Sequence, residues 1–547
     1  MRAGLVGEGS AFAGPFGPRP LIYADYTASG RSLDFIEEAI RRQVQPFYGN
    51  THTETSHTGM HTTRLRESAR AAVRAAVGAG PEHAVIFTGA GATAAIDKFA
   101  RLLAQHPGGR PLVLIGPHEH HSNDLIWREA ACDTLRIPMG ADGAPDLAAL
   151  AEALRLHRDR PLKVGAFAAA SNVTGLRTDL RAIARMMHAA GGLIACDFAA
   201  AGPYVSIGMA GSAPTADDHL DAVFLSPHKF AGGPGASGVL VVDRALCDTP
   251  RPTVAGGGTV SYVTADRHSF VAAAERREEA GTPAILGDIR AGMVLRLKDL
   301  VGTARIHAEE TRIVAETFAD WGRNPRIRIL GPQNPDRLGI FALNVVAGRR
   351  MLHHNLVVAL LNDLFGIQAR GGCSCAGPYG HALLGLDRDT AARHEALVAA
   401  GHSLFRPGWA RIGLNWLMTP ATCDHIRRAV AFVADHGADL MRLYRVDSRS
   451  GIWRARGHGS PAEPTDIASL LHPAPPPELV APDPAACFDL ARDLVAAARE
   501  MPPPPAPDAP DPAQEAVRWF WWPHEAEAAA TGGADHGAAF APASGRL

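Results

Sequence analysis

Lysine is scarce in this 547-residue sequence. Of its 54 lysine and arginine residues, only four are lysines: Lys98, Lys163, Lys229 and Lys298. Chemistry that needs a primary side-chain amine therefore has four candidates. The 54 basic residues are balanced by 56 acidic ones, for a net charge of -2. No overall positive field favours nucleic acid or an anionic membrane surface, and we expect neither as a partner.

Long uninterrupted hydrophobic runs are also absent, because charged residues such as Asp197 and Lys229 break the apolar stretches. The first twenty residues carry little positive charge and several glycines and prolines, unlike a signal peptide. The seven cysteines are odd in number and scattered. They do not form a disulfide framework and are typical of a reducing compartment. We expect a cytoplasmic protein without membrane association.

Short β-branched runs alternate with helical patterns from about residue 21 to 242, which is typical of βαβ units and a mostly parallel sheet. Apolar residues at i, i+3 and i+4 predict helices, with Asp146 and Thr178 as caps of two of them. The predicted strands are 84–88, 111–115, 164–168, 192–196, 222–225, 237–242 and 340–346. The predicted helices are 62–79, 92–105, 147–156, 180–190, 284–300 and 485–498.

The chain divides by composition into four parts. We expect a flexible N-terminus (1–20), a large α/β domain (21–300), a smaller α/β domain (301–446) and a proline-rich extension (447–547). Prolines crowd residues 473–484 and 501–512, and an aromatic cluster, Trp519 to Trp522, lies near the end. We interpret that cluster as a plug that docks part of the tail, with recruitment of a partner as the alternative.

The segment Asp221–Gly235 carries the strongest chemical signal. An apolar strand ends at Ser226 and is followed by His228 and Lys229 in a loop rich in glycine and proline. Open α/β sheets bind ligands at the carboxyl ends of their strands. Burial in a pocket would lower the lysine pKa, as Schiff-base chemistry requires, although a surface lysine on a turn is the commoner case. Asp197 also ends a strand, and a buried carboxylate there needs a cationic partner, such as a protonated pyridine nitrogen.

Glycines between a strand and a helix, in the segment 87–97, indicate a phosphate site at the helix N-terminus. Gly89, Gly91 and Ala94 also satisfy a degenerate dinucleotide fingerprint. That alternative needs an acid at the end of the next strand, where Glu119 is the single candidate among histidines. His118, His120 and His121 lack partners for a metal site, so stacking of a histidine on an aromatic cofactor fits better, and we expect no metal.

Two cysteines lie in a loop that we expect to be exposed and mobile, Arg370–His381. A structural thiol pair and half of a metal site are the alternatives to a catalytic thiol, and a second pair of metal ligands is missing. An accessible thiol near Arg370 would have a lowered pKa and act as a nucleophile.

Together these motifs resemble the class V aminotransferase superfamily of fold-type I pyridoxal-phosphate enzymes, in its cysteine desulfurase and selenocysteine lyase branch. The resemblance runs from about Tyr23 to Thr419. The matching segments, in family order, are 23–29, 57–61, 119–121, 171–175, Asp197, 226–229, 256–258, 279–283, 370–375 and Arg411. The fold implied is a mostly parallel seven-stranded sheet in the large domain plus the smaller α/β domain.

The resemblance also implies the site. Lys229, Cys375 and His120 would be catalytic: Lys229 binds the cofactor covalently, His120 stacks on its ring, and Cys375 takes sulfur as a persulfide and leaves alanine. Asn172, Arg411 and Arg370 would bind the substrate, and a sulfur-acceptor protein is a further partner. The remaining cofactor ligands would be Asp197, Ala92, Thr93, Ser226, His228 and, from the other subunit of a homodimer, Thr282.

Two positions depart from the family pattern: Ala200 replaces a glutamine that contacts the cofactor's ring oxygen, and Cys373-Ser374 replaces a His-His pair. One alternative function is an aminotransferase or amino-acid epimerase on the same scaffold, with Cys375 a bystander. The Arg-x-Gly-x-x-Cys spacing argues against it. The other is a non-catalytic scaffold acting through its tail, which the presence of Lys229 and Asp197 opposes.

Overall fold

The N-terminal segment folds onto the rest of the protein in this computed structural model, which describes residues 1–213, 215–457, 466–471, 479–506 and 511–532. Its strands are β1 (Ala11–Gly14), β2 (Gly17–Pro20) and β3 (Ile22–Tyr23). Residues 1–20, expected to be flexible, contain the β1–β2 hairpin. That expectation is corrected because Arg19 is buried and its Nε donates to the Asp363 carbonyl at 2.8 Å, which fixes the hairpin to the smaller domain.

The main sheet has seven strands in the order β4-β10-β9-β8-β7-β5-β6. Six run in one direction, and β10 alone is antiparallel to its neighbours. This confirms the fold class predicted from the sequence, apart from β6, which carried no apolar run and was missed. The strands are β4 (His83–Gly89), β5 (Leu112–Ile115), β6 (Asp133–Arg136), β7 (Lys163–Ala168), β8 (Leu193–Asp197), β9 (Ala222–Leu225) and β10 (Gly238–Asp243).

Helices cover this sheet, and a second hairpin, β11 (Val260–Val263) with β12 (His268–Phe270), projects from it. The helix α2 packs along α8. The helices are α1 (Asp34–Ala39), α2 (His57–Ala76), α3 (Gly91–Leu103), α4 (Leu125–Glu129), α5 (Leu147–Leu156), α6 (Leu180–Ala189), α7 (Ala274–Glu278) and α8 (Ile285–Val301).

The start of α2 and the capping residue of α6 differ from the sequence prediction, and side-chain hydrogen bonds explain both. The predicted helix 62–79 begins at His57, because the Ser56 hydroxyl accepts from the Gly59 N–H. Thr178 was wrongly predicted to cap α6. Asp179 caps it by accepting from the Ala182 N–H at 3.0 Å, and Thr178 donates instead to a carbonyl of β7. The predicted cap of α5, Asp146, is confirmed by two N–H contacts.

The smaller domain has an antiparallel sheet in the order β13-β14-β18-β17, with β15 paired to β14. Strand β16 pairs with β3 from the start of the chain. Gly302 separates α8 from α9. We propose that the boundary between the two domains lies near residue 301. The elements are α9 (Thr303–Trp321), β13 (Ile327–Ile329), β14 (Ile340–Ala347), β15 (Arg350–Met351), α10 (His354–Phe365), β16 (Ile367–Gln368), β17 (Arg370–Gly372), α11 (Gly377–Leu384), α12 (Arg388–Ala399), β18 (Trp409–Gly413) and α13 (Pro420–Leu440).

The tail returns to the smaller domain. Its aromatic cluster is buried, and Phe520 is 0% exposed in a core with Met351, Leu404 and Phe405. The Trp521 indole N–H donates to the Ala347 carbonyl at 2.7 Å. The elements are β19 (Tyr444–Val446), β20 (Trp453–Ala455), α14 (Pro484–Glu500), α15 (Pro512–Glu515) and α16 (Ala526–Thr531). Parts of the two proline-rich segments, residues 473–478 and 507–510, lie outside the described residues.

Across the described ranges, every helix is too short or too polar to span a lipid bilayer.

Candidate functional site

Five loops meet at the carboxyl edge of the main sheet, following β4, β5, β7, β8 and β9. Because these strands are co-directional, their ends lie side by side, and the smaller domain closes the space above them. The result is a cavity of about 260 Å³. It is lined by all but one of the site residues predicted from the sequence: Ala92, Thr93, His120, Asn172, Asp197, Ser226, His228, Lys229, Arg370, Cys375 and Arg411.

Lys229 ends a short 3₁₀ turn that directly follows β9. Burial lowers the pKa of its amine to about 8, and the nearby Arg411 and Arg370 act in the same direction, against the opposing effect of Asp197. A larger fraction of the amine is therefore neutral near pH 7 than in an ordinary lysine. A neutral, positioned amine is the form that attacks a carbonyl group.

Asp197 is the last residue of β8 and is 4% exposed. Its Oδ1 accepts from the Ala199 N–H at 2.7 Å. Burial raises the pKa of the carboxyl group, partly offset by that hydrogen bond and by Lys229. Among the described residues, no cationic side chain lies within salt-bridge distance of it. A protonated ring nitrogen of a ligand would supply the missing positive partner.

An anion cradle lies where α3 begins. The Ala92 N–H donates to the Ser226 hydroxyl at 2.9 Å, and Thr93 contacts the Ser122 hydroxyl at 2.7 Å. Gly91 has a φ of +61°, and a Cβ on it would lie 3.0 Å from the His228 ring. Glycine thus lets His228 and Ser226 approach the helix N-terminus. Hydroxyl groups and free N–H groups at a helix start are suited to a phosphate.

Two histidines of the loop after β5 reach the cavity. The Nδ1 atom of His120 accepts from the Ser122 N–H at 3.1 Å, which leaves the ring proton on Nε2. Burial, with Lys229, lowers the pKa of His120 to about 3, so the ring is neutral and suited to stacking. His118 is 1% exposed, and neither ring nitrogen has a hydrogen-bond partner among the described residues. Sequence reasoning noted His118 but gave it no role.

Two arginines converge on a carboxylate that sequence reasoning missed. Asp25 accepts from Arg411 at 3.0 Å through one oxygen and from Arg370 at 2.9 Å through the other. Arg411 is 4% exposed and also donates to the Asn172 carbonyl at 3.2 Å. Its Nε has no partner among the described residues, and neither does the Asn172 Oδ1 atom. Asp25 lies inside the matching segment 23–29, which was the available signal.

The loop that follows β17 carries the two thiols in different surroundings. Cys375 is exposed and lines the cavity, whereas Cys373 is half-buried against the apolar cluster around Trp409. Ser374 and Cys375 have φ values of +51° and +54°, a left-handed geometry that costs non-glycine residues energy and needs support from neighbours.

That support comes from three directions. The His121 N–H donates to the Cys375 carbonyl at 2.8 Å, and the Asn172 amide donates to the Ser374 carbonyl at 2.7 Å. The Trp409 indole N–H contacts the Ser374 hydroxyl at 3.1 Å. The loop is therefore held over the cavity with the Cys375 side chain accessible.

Thr282 is the one predicted site residue outside this cavity. It is exposed, and its nearest polar contact is the Asn50 amide at 3.5 Å. Ala200 is 8% exposed and lines the cavity, so the position where the family carries glutamine presents only a methyl group.

Comparisons with known proteins agree on one family. Residues 22–398 match the family model described as "Aminotransferase class-V". A cysteine desulfurase of Dickeya dadantii (strain 3937) is 30% identical over 374 residues, which are 66% of this chain and 84% of that protein. A probable cysteine desulfurase of Vibrio cholerae is 28% identical over 366 residues, 66% of this chain and 85% of that protein.

Solved structures show the same fold. A cysteine desulfurase from Thermococcus onnurineus NA1 superposes with a TM-score of 0.61 at 22% identity and covers 76% of this chain and 94% of its own. The cysteine desulfurase CsdA from Escherichia coli gives a TM-score of 0.58 at 22% identity, covering 78% of this chain and 96% of its own.

Proposed function

Because the chain belongs to the class-V aminotransferase family, we propose that it is a cysteine desulfurase-like enzyme that uses pyridoxal phosphate. The reaction would remove sulfur, or selenium, from a cysteine-type amino acid and yield alanine. The observation that carries the proposal is the exposed Cys375 thiol, which lines the same cavity as Lys229 and Asp197. An aminotransferase or epimerase would have no use for a thiol presented in this way.

The cavity residues fit pyridoxal phosphate. Lys229 offers an amine of lowered pKa for its aldehyde, the buried Asp197 lacks a cationic partner within salt-bridge distance among the described residues, and the start of α3 suits its phosphate. The chemistry this group supplies when bound is withdrawal of electrons from the substrate carbon that bears the amino group. The neutral ring of His120 would stack on it.

The protein's own side chains would bind the substrate, transfer protons and accept the sulfur. Arg411 and Arg370, oriented by Asp25, would hold the substrate carboxylate, and Asn172, whose Oδ1 lacks a partner among the described residues, would contribute to the same substrate site. The Lys229 amine moves protons at the substrate carbon atoms. The Cys375 thiolate attacks the substrate sulfur: a new S–S bond forms, the C–S bond breaks, and its electron pair remains on carbon, which a proton then converts to the methyl group of alanine.

The direct test of function is turnover of L-cysteine. Purified protein with added pyridoxal phosphate should yield alanine, and with a thiol reductant present it should also yield an equal amount of sulfide. Both products are measured, together with keto acid and D-cysteine. Appearance of keto acid without sulfide would establish the aminotransferase alternative, and appearance of D-cysteine alone would establish the epimerase.

Substrate binding should depend on the planar guanidinium group of Arg411, with its several N–H donors, as well as on its charge. Arg411→Lys keeps the charge, but an ammonium group cannot bind Asp25, the Asn172 carbonyl and a carboxylate together. We expect kcat/KM for L-cysteine to fall about 10- to 100-fold, mainly through KM, in steady-state kinetics. Arg406→Lys, at an exposed arginine, is the control. Equal kinetics for both variants would refute this role.

We further propose a cytoplasmic homodimer with a sulfur-acceptor protein as partner, in which Thr282 completes the phosphate site of the other subunit. Its exposed position outside its own cavity supports this. Thr282→Val should weaken pyridoxal phosphate binding about tenfold, in a fluorescence titration, while the dimer persists in light scattering. Thr531→Val on α16 is the control. A monomer with full cofactor occupancy would contradict the proposal.

A further inference from the structure

Two histidines and two aspartates form a cluster at the opposite edge of the main sheet from Lys229. His188 lies near the end of α6, and Asp217, His219 and Asp221 precede β9. We propose that His188, Asp217 and His219 form a binding site for one zinc ion, with Asp221 orienting the His188 imidazole and lying beside that of His219. One ligand atom from each of the three residues lies within 4.8 Å of the other two.

Asp221 fixes one edge of both rings. Its side chain is 5% exposed, and its Oδ2 accepts from the Ile194 N–H at 2.7 Å and lies 3.0 Å from the His188 Nε2 atom. Its Oδ1 lies 3.6 Å from the His219 Nε2 atom. A carboxylate only accepts hydrogen bonds, so it selects rings that carry their protons on Nε2. A carboxylate behind the imidazole is the usual support of a histidine metal ligand.

The other edge of both rings faces oxygen atoms of Asp217. The His188 Nδ1 atom lies 3.1 Å from the Asp217 carboxylate and 3.1 Å from the Asp217 carbonyl, and the His219 Nδ1 atom lies 3.6 Å from the same carboxylate. In the metal-free protein an Nδ1–H donates to these oxygens, and a zinc ion bound between them would take the place of that proton.

Protonation of both rings is a poor alternative. The rings of His188 and His219 stack with centroids 4.1 Å apart and planes 22° apart. Two imidazolium charges would face each other at that distance and repel. One divalent ion at the Nδ1 edge neutralises two carboxylates without charging either ring.

The surrounding charges favour a cation. Two arginines of α6 are paired with the neighbouring Asp218: Arg185 at 3.1 Å and Arg181 at 4.0 Å. Among the described residues, Asp217 and Asp221 form salt bridges with histidines alone. Two imidazole nitrogens with one carboxylate suit zinc, whereas magnesium prefers oxygen ligands and water.

The position of the cluster gives it a structural role. It joins the end of α6 to the segment that leads into β9, and Asp221 ties it to β8. Asp197 lies at the other end of β8, so the ion would be remote from the catalytic cavity. Bound zinc should therefore stabilise the large domain without entering the reaction.

The test compares zinc binding by holoenzyme variants after chelator treatment. In equilibrium dialysis, wild type and the control His307→Ala, an exposed histidine on α9, should bind about one more zinc per chain than His219→Ala. Asp217→Asn should weaken binding at least about tenfold. Thiol-bound zinc is common to all four proteins and cancels in the comparison.

A second measurement is thermal unfolding. Zinc should raise Tm for wild type and His307→Ala, magnesium should not, and His219→Ala should lose the shift. His219 is 44% exposed in its side chain, so the variant keeps its fold. Identical zinc binding by wild type, His219→Ala and Asp217→Asn, or an equal Tm shift with magnesium, would overturn the proposal.

Discussion

Replacing Lys229 by alanine is expected to give a folded protein that cannot hold pyridoxal phosphate covalently. All four lysines lie in the part of the chain that the structure describes, and of these Lys229 alone lines the cavity. Lys98 is bound by Glu278, and Lys163 and Lys298 donate to backbone carbonyls elsewhere in the fold. The same amine would move the substrate protons, so desulfuration should fall by at least about 1,000-fold.

The measurement is borohydride reduction followed by peptide mass spectrometry. Wild type should be yellow, lose its colour on reduction and carry the label on Lys229. Lys163→Arg, at a lysine of β7 whose amine donates to two backbone carbonyls, is the matched control and should behave as wild type. A Lys229→Ala protein with a covalently reducible cofactor would disprove the assignment.

The second large effect is expected at the thiols. Cys375→Ser should bind L-cysteine and the cofactor yet lose almost all alanine formation, whereas Cys373→Ser should keep most activity. The reason is position: Cys375 is exposed to the cavity, and Cys373 packs against apolar side chains. A hydroxyl group in place of the thiol cannot accept sulfur as a persulfide.

Mass spectrometry after a pulse of L-cysteine should find the additional sulfur on Cys375 in wild type and in Cys373→Ser. The two variants differ by two positions in one loop, so each serves as the control for the other. Normal alanine formation by Cys375→Ser would reject Cys375 as the sulfur acceptor, and transfer of the amino group to a keto acid without sulfur release would favour the aminotransferase.

Much of the fold follows from local patterns, and the errors have local causes. Buried parallel strands are continuous apolar runs, so six of the seven strands were predicted to within about one residue. Strand β6 is a half-buried edge strand that contains Asp133 and Arg136. These polar residues interrupt the apolar run by which the other strands were predicted. The start of α6 at Leu180 was predicted correctly, but its cap was assigned to Thr178 instead of Asp179, because both are good caps and the difference lies in their tertiary contacts.

Site residues could be predicted where a single sequence motif contains the functional side chain. They were harder to predict where the role depends on contacts between side chains that are distant in the chain. Lys229 and Asp197 end apolar strands, which sequence displays directly. Asp25 lies in the matching segment 23–29, but its role depends on its contacts with Arg370 and Arg411. These two arginines are 345 and 386 residues away in the chain. The lack of hydrogen-bond partners for the His118 ring among the described residues likewise depends on tertiary packing, which no sequence pattern records.

The docking of the tail has a consequence for how the enzyme is made. Met351, Leu404 and Phe405 remain without their aromatic partners until residues 519–522 have been synthesised. At typical synthesis rates of 5–20 residues per second, the stretch from Val446 to Trp522 takes about 4 to 15 s to emerge. During that time the nascent smaller domain exposes the apolar residues that the tail covers in the folded protein, and chaperones can bind such a surface. A chain cut before Trp519 would leave these residues exposed permanently.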